Sequence, residues 1–248
     1  MRPNRQIQSQ YSPAQHRVMG LFSTPFLRGQ MPLNALTIMK DIDSLVDTVS
    51  LKENKDRLSD YTSYFDEDVR QQTHKLSWWS DFSNTMKDTY IEFIRTQFHK
   101  DVSHLSRHDI HLFAWVNRYG SDNMHDIHNH VDSYISGTYY VNSSKRPIKF
   151  WNPNMAAQYA HNGNEDLLFQ DDKPNMAFTG CTGFQSDMHF EPTAGDFLMW
   201  PSYMMHSVPQ ADEKDDPETR YSISFNLKHN TPLNDTEHGD RFHYGDIF

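Results

Sequence analysis

The chain has 248 residues, a formal net charge of −10, 36% hydrophobic residues and a single cysteine. That length suits one single-core domain with peripheral helices, the acidic balance argues against an extensive phosphate-binding surface, and the lone Cys181 excludes an internal disulfide and a cysteine-rich zinc site. No apolar run approaches the roughly 20 residues that span a bilayer, and the opening MRPNRQIQSQYSPAQ lacks the apolar stretch of a secretory signal, so the expectation is a cytosolic protein with neither a membrane nor a nucleic-acid partner.

Residues 1–18 are polar and aperiodic and read as a flexible arm. From Asn34, the apolar positions Ala35, Ile38, Met39, Ile42, Leu45, Val46 and Val49 recur at three- and four-residue spacing, which predicts an amphipathic helix with Asn34 as its N-cap. A second helix is predicted through Phe82, Met86, Tyr90, Phe93, Ile94 and Phe98, starting near Ser83 or Asn84. Residues 51–77 between them are charged and ambiguous.

Beyond about residue 108 the pattern changes to short β-rich runs: HLFAWVNRYG, SYISGTYYVN, PIKFWNP, DFLMWPS and RYSISFNLK, separated by Gly, Pro, Asn and Asp. This is the pattern of a jelly roll, mainly β with flanking helices. The domain is expected to occupy residues 19–230, with a helical part to about 105, a β core over about 108–230 and a tail at 231–248. Residues 152–192 are too long for an ordinary connection and form a candidate lid or specificity loop. Trp115, Phe150, Trp151 and Trp200 read as packing residues.

Of 15 histidines, six lie between His104 and His130. In MHDIHNHVDS, an extended backbone would turn Asp126, His128, His130 and Asp132 to one face, where two imidazoles can converge on one ion. The best third ligand is His206, after the strand-like DFLMWPSYMM. Two ligands close together and one distant form a facial triad that leaves coordination positions open. In a regular strand His125 would point away from His128, and His161 and His189, in the long insertion, read by default as surface residues.

Arg220 and Ser222 share one face of RYSISFN. A guanidinium fork with a neighbouring hydroxyl fits a carboxylate such as the distal group of 2-oxoglutarate; the competing reading pairs Arg220 with Asp215, Asp216 or Glu218. Neither a nucleophile elbow nor a glycine-rich phosphate loop is present.

The order H-x-H, SGTYYV, GDFLMWPSYMMHSVP, RYSISFN, with LFSTPFLRGQMPLN upstream, resembles the 2-oxoglutarate- and Fe(II)-dependent oxygenase family found in bacteria and cyanophages, over most of residues 20–230. The resemblance implies a cupin-like double-stranded β-helix and an enzyme, a dioxygenase that couples decarboxylation of 2-oxoglutarate to oxidation of a substrate by O₂, most simply a hydroxylation. It would work in the host cytosol if the chain is phage-encoded. The resemblance also implies His128, His130 and His206 as iron ligands and catalytic residues, and Arg220, Ser222, Tyr140 and Asn117 around the cosubstrate. This chain has His130 where the broader superfamily has a carboxylate, and His130 and Asp132 also spell H-x-D, so a second ligand set is His130, Asp132 and His206. A three-histidine dioxygenase that uses no 2-oxoglutarate, and a non-enzymatic jelly-roll binding protein, are the rival readings. A small-molecule or peptide substrate and a homodimer stay open.

Overall fold

The computed structural model describes residues 24–49, 61–98, 100–120, 123–153, 187–210, 219–230 and 233–235. The expected arm, Cys181, His161, the local acids Asp215, Asp216 and Glu218, and most of the expected tail lie outside these residues.

Antiparallel pairing builds a six-stranded sheet in the order β1 (Leu27–Gln30), β9 (Asp196–Pro201), β6 (Ile135–Tyr140), β11 (Arg220–His229), β4 (Ile110–Tyr119), β2 (Tyr61–Thr62). A four-stranded sheet runs β5 (His125–His128), β10 (His206–Val208), β7 (Ile148–Trp151), β8 (Asp187–Phe190). A short pair, β3 (Lys100–Asp101) and β12 (Asn234–Asp235), lies apart. The two larger sheets face each other as the jelly roll of a double-stranded β-helix.

Strand period explains how the core divides. Along β11 the odd positions Ile223, Phe225 and Leu227 pack outward in one apolar cluster with Ile135 and Tyr139 of β6 and Phe197 and Met199 of β9. Helices α1 (Ala35–Val49) and α3 (Trp79–Gln97) complete that cluster through Ile38, Ile42, Phe82, Met86 and Phe93. Phe82 meets the rings of Tyr139 and Phe225 at 6.0 and 5.8 Å. The other face looks into the barrel, where Tyr140, Ile148, Phe150, Leu198, Trp200 and Val208 form a second, smaller cluster. Gly137 must lack a side chain, because a Cβ there would lie 2.3 Å from the Phe225 ring and 2.5 Å from the Leu198 carbonyl oxygen.

The predicted α1 forms with Asn34 as its cap, the Thr37 amide donating to Asn34 Oδ1 at 3.1 Å. Helix α3 starts at Trp79, a turn earlier than predicted and without a side-chain cap. Trp78 substitutes for the cap by burying its ring and donating its indole N–H to Asp41 Oδ2 at 3.0 Å. The ambiguous 51–77 stretch contains α2 (Glu67–Thr73), capped by Asp66. The expected insertion at 152–192 is narrower, because DMHF forms β8 against β7. All five predicted β runs contain strands; β1, β2, β3, β5, β8, β10 and β12 are additional and only two to four residues long, too short for their alternation to be read.

Candidate active site

Strand β10 positions the site. It lies between β5 and β7, with His206 opposite His128 on one side and Phe150 on the other. The β5 register shifts between these partners: His206 faces His128 and Val208 faces His125, so three steps on β5 oppose two on β10. This bulge cancels the alternation expected of a regular strand. His125 therefore turns to the same side as His128 and stacks on it, ring centroids 3.9 Å apart, contrary to the expectation that it points away.

One ring nitrogen from each of His128, His130 and His206 lies within 4.8 Å of the others, close enough to share one ion. Each ring is held by its other nitrogen. His128 Nδ1 donates to the Asp126 carbonyl at 2.7 Å, His206 Nδ1 to the Met204 carbonyl at 3.0 Å, and His130 Nδ1 to Asn226 Oδ1 at 2.5 Å. Since these acceptors fix the proton on Nδ1, all three Nε2 lone pairs are free for a metal. Burial pushes all three imidazoles below their ordinary pKa, His130 to about 4 and His206 well down, so at neutral pH they stand in the uncharged, ligating form.

Asp132 does not join them. Strand β5 ends at His128, the chain leaves the extended conformation, and Asp132 is exposed on a separate cleft with Tyr64, His111 and Lys228. Asp126 is exposed too, and meets the site through its backbone carbonyl. His189 on β8 is exposed beside Asp187, its Nε2 3.5 Å from the carboxylate.

The histidines open onto a small interior pocket also lined by Trp115, Tyr119, His125, Thr138, Ile148, Val208, Arg220, Ser222 and Ser224. Arg220 is 2% exposed, yet among the described residues no carboxylate pairs with it: Nε has no partner and Nη1 reaches only the Arg146 carbonyl at 3.4 Å. A buried guanidinium without a counter-ion is costly, so a pocket that keeps one is suited to an anion. Tyr140 lies against it, the guanidinium 5.0 Å from the ring centroid. Its hydroxyl is buried without a hydrogen-bond partner among the described residues, and burial raises its pKa to about 12, so it stays a phenol able to donate. Ser222 faces both Tyr140 and Asn117 across the ladder. The Asn117 amide is spent on Ser224 Oγ, 3.0 Å away, and supports the pocket from behind rather than lining it.

Sequence reasoning missed Trp115, whose ring lies 5.8 Å from that of His130, and the residues that hold His130: Asn226, and Ser136, whose hydroxyl donates to the same Asn226 oxygen at 2.8 Å. The signal was present in RYSISFN, because Ser224 and Asn226 continue the Arg220 and Ser222 face.

Residues 113–226 match the family described as "Putative 2OG-Fe(II) oxygenase". The β core of this chain is similar to that family. The match covers somewhat under half of the chain and contains all three histidines and Arg220. That family is one of 2-oxoglutarate-dependent non-haem iron oxygenases, whose cofactors are Fe(II) and 2-oxoglutarate, and the three gathered histidines of this chain suit such a metal. The match favours this reading over the two rivals, the dioxygenase without 2-oxoglutarate and the binding protein. No curated protein matches the chain by sequence.

Among solved structures it is similar to a Pseudomonas putida prolyl-4-hydroxylase, 10% identical with a TM-score of 0.45, over 84% of this chain and 95% of that one. It is also similar to HygX from Streptomyces hygroscopicus with nickel and 2-oxoglutarate bound, 12% identical with a TM-score of 0.45, over 84% and 83%. A third likeness is to the carbocyclase SnoK of nogalamycin biosynthesis, 8% identical with a TM-score of 0.49, over 91% and 87%. Likenesses this distant transfer neither a substrate nor a residue role. No helix among the described residues is long and apolar enough to cross a membrane.

Proposed function

We propose that in this chain His128, His130 and His206 hold the Fe(II), that Arg220, Ser222 and Tyr140 hold 2-oxoglutarate, and that the product is a hydroxylated small molecule or peptide. The observation that carries this reading is the pairing of two features in one pocket: three imidazoles with free Nε2 atoms, and a buried guanidinium with no carboxylate partner among the described residues. When bound, iron and 2-oxoglutarate supply the oxidising chemistry, the keto acid and O₂ being converted to succinate, carbon dioxide and an oxygen atom for the substrate.

The protein's own residues bind and orient. Arg220 fixes the distal carboxylate by a forked, charge-assisted contact, and the Ser222 and Tyr140 hydroxyls are placed to add donors. Trp115, Ile148 and Val208 keep the pocket apolar between its charged ends, which strengthens those contacts by excluding water. Asn226, the Met204 carbonyl and the Asp126 carbonyl hold the rings so that little reorganisation is needed when a metal enters. No side chain needs to act as a general base, since the cofactor carries the oxidation. With a net charge of −10, a nucleic-acid substrate is disfavoured. The single cysteine supports a reducing, cytosolic setting.

The test is anaerobic titration of Fe(II)-loaded protein with 2-oxoglutarate, following the weak visible band of an iron-chelated keto acid. The wild type should develop the band, and Arg220→Ala should need on the order of 100-fold more 2-oxoglutarate. Bound iron with no band at any 2-oxoglutarate concentration would sink the reading.

A further inference from the structure

Four imidazoles meet in this pocket, and one of them differs from the rest. His128, His130 and His206 each spend Nδ1 on an oxygen of the protein. The His125 ring, in the same cluster, has no hydrogen-bond partner at either nitrogen among the described residues, although it is half-buried, stacks on His128 and lines the pocket that holds Arg220 and Ser222. It is also absent from the group whose nitrogens approach one another closely enough to share an ion.

Its level in the barrel is set by pairing. His128 stands opposite His206, at the level of the metal ligands, whereas His125 stands opposite Val208, two residues further along β10. Val208 belongs to the apolar interior cluster, so this step leads inward. Arg220 lies toward that same interior: on β11 it is six residues from Asn226, which holds His130. His125 thus sits on the inward side of the ligand histidines, in the same pocket as the Arg220 guanidinium.

We propose that His125 is a cosubstrate-positioning residue that donates a ring N–H to the distal carboxylate of 2-oxoglutarate, sharing that carboxylate with Arg220. This rests on the reading that the three other histidines hold the metal and Arg220 the keto acid. A neutral imidazole carries one N–H, and with neither nitrogen committed to the protein, the ring is free to present it to a ligand. The bulge in β5 is what supplies this fourth imidazole; its stacking on His128 limits the rotation of both rings.

The test uses full-length protein loaded with Zn(II) as a redox-silent metal, so that no turnover is needed. Metal content and the affinities for 2-oxoglutarate and for 2-oxobutanoate, which lacks the distal carboxylate, are measured by calorimetry in the wild type, His125→Phe and His125→Gln. Phenylalanine keeps the stacked ring and removes the donor, while glutamine restores an N–H. The expected result is unchanged metal stoichiometry throughout, 2-oxoglutarate binding at least about tenfold weaker in His125→Phe and recovered in large part in His125→Gln, and unchanged 2-oxobutanoate binding.

Three results would overturn the proposal: loss of metal in His125→Phe, equal weakening for both keto acids, or wild-type affinity for 2-oxoglutarate in that variant. If His125→Phe fails to fold, His125→Ala against His125→Gln gives the same contrast. Wild-type protein that binds Zn(II) but not 2-oxoglutarate would instead overturn the underlying reading, a failure visible before any variant is made.

Discussion

The two faces of β11 divide the work of the molecule between them. Ile223, Phe225 and Leu227 face the helices and are fully buried among apolar side chains. Arg220, Ser222, Ser224 and Asn226, one residue out of step, face the barrel and carry or support the site. In most antiparallel sheets the polar face looks to water; here it looks inward and the apolar face outward to a layer of helices. A strand built this way places its stabilising contacts and its chemistry on opposite sides of one backbone, so substitutions on the two sides should fail differently.

The largest effect expected from breaking that division is on the chemistry side. His206→Ala should leave the fold intact and reduce bound Fe(II) and 2-oxoglutarate turnover to background, measured by metal analysis and succinate formation. Asp132→Asn, on a different cleft, should leave both unchanged. If Asp132→Asn lost the metal and His128→Ala kept it, the ligand set would be His130, Asp132 and His206 instead.

Phe225→Ala tests the opposite face. It removes the ring that packs on Phe82 and covers Gly137, and should cost about 3–5 kcal/mol of stability. Metal stoichiometry per folded molecule should be unchanged, as read by chemical denaturation alongside metal analysis. A folded Phe225→Ala protein that had lost its iron would mean that the two faces are not separable.

The smallest effect belongs to the residues between ligand and scaffold. Asn226→Ala leaves the His130 ring with the Ser136 hydroxyl, 2.8 Å from Nδ1, as its remaining anchor, so affinity for Fe(II) should fall about tenfold while the unfolding midpoint of the metal-free protein moves little. Competition against a chelator measures the first and thermal unfolding the second.

The spacing of the apolar residues made these features legible in part before any coordinates. The five long β runs and both long helices follow from it, and RYSISFN alone announces a strand with an apolar and a polar face. The gathering of His128, His130 and His206 was anticipated from an extended H-x-H and one distant histidine. What escaped was set by pairing rather than composition. Alternation assumes an unbroken ladder, so it put Asp132 on the ligand face and His125 off it, and the end of β5 at His128 and the bulge beside it reverse both assignments. The anchoring of His130 by Asn226 joins residues 96 apart in sequence, a distance over which local pattern says nothing. Helix α3 begins a turn before Ser83 because Trp78 stands where a polar cap usually opens a helix.

The bulge in β5 also bears on how such sites change over time. His128 is held opposite His206 by the ladder, so pairing the same residues without the bulge would set His125 three regular steps from His128 and swing the fourth imidazole out of the barrel with no change of sequence in between. The membership of this histidine cluster is therefore governed by how β5 pairs, and two relatives with identical letters in aligned columns could differ in the number of imidazoles that reach the pocket.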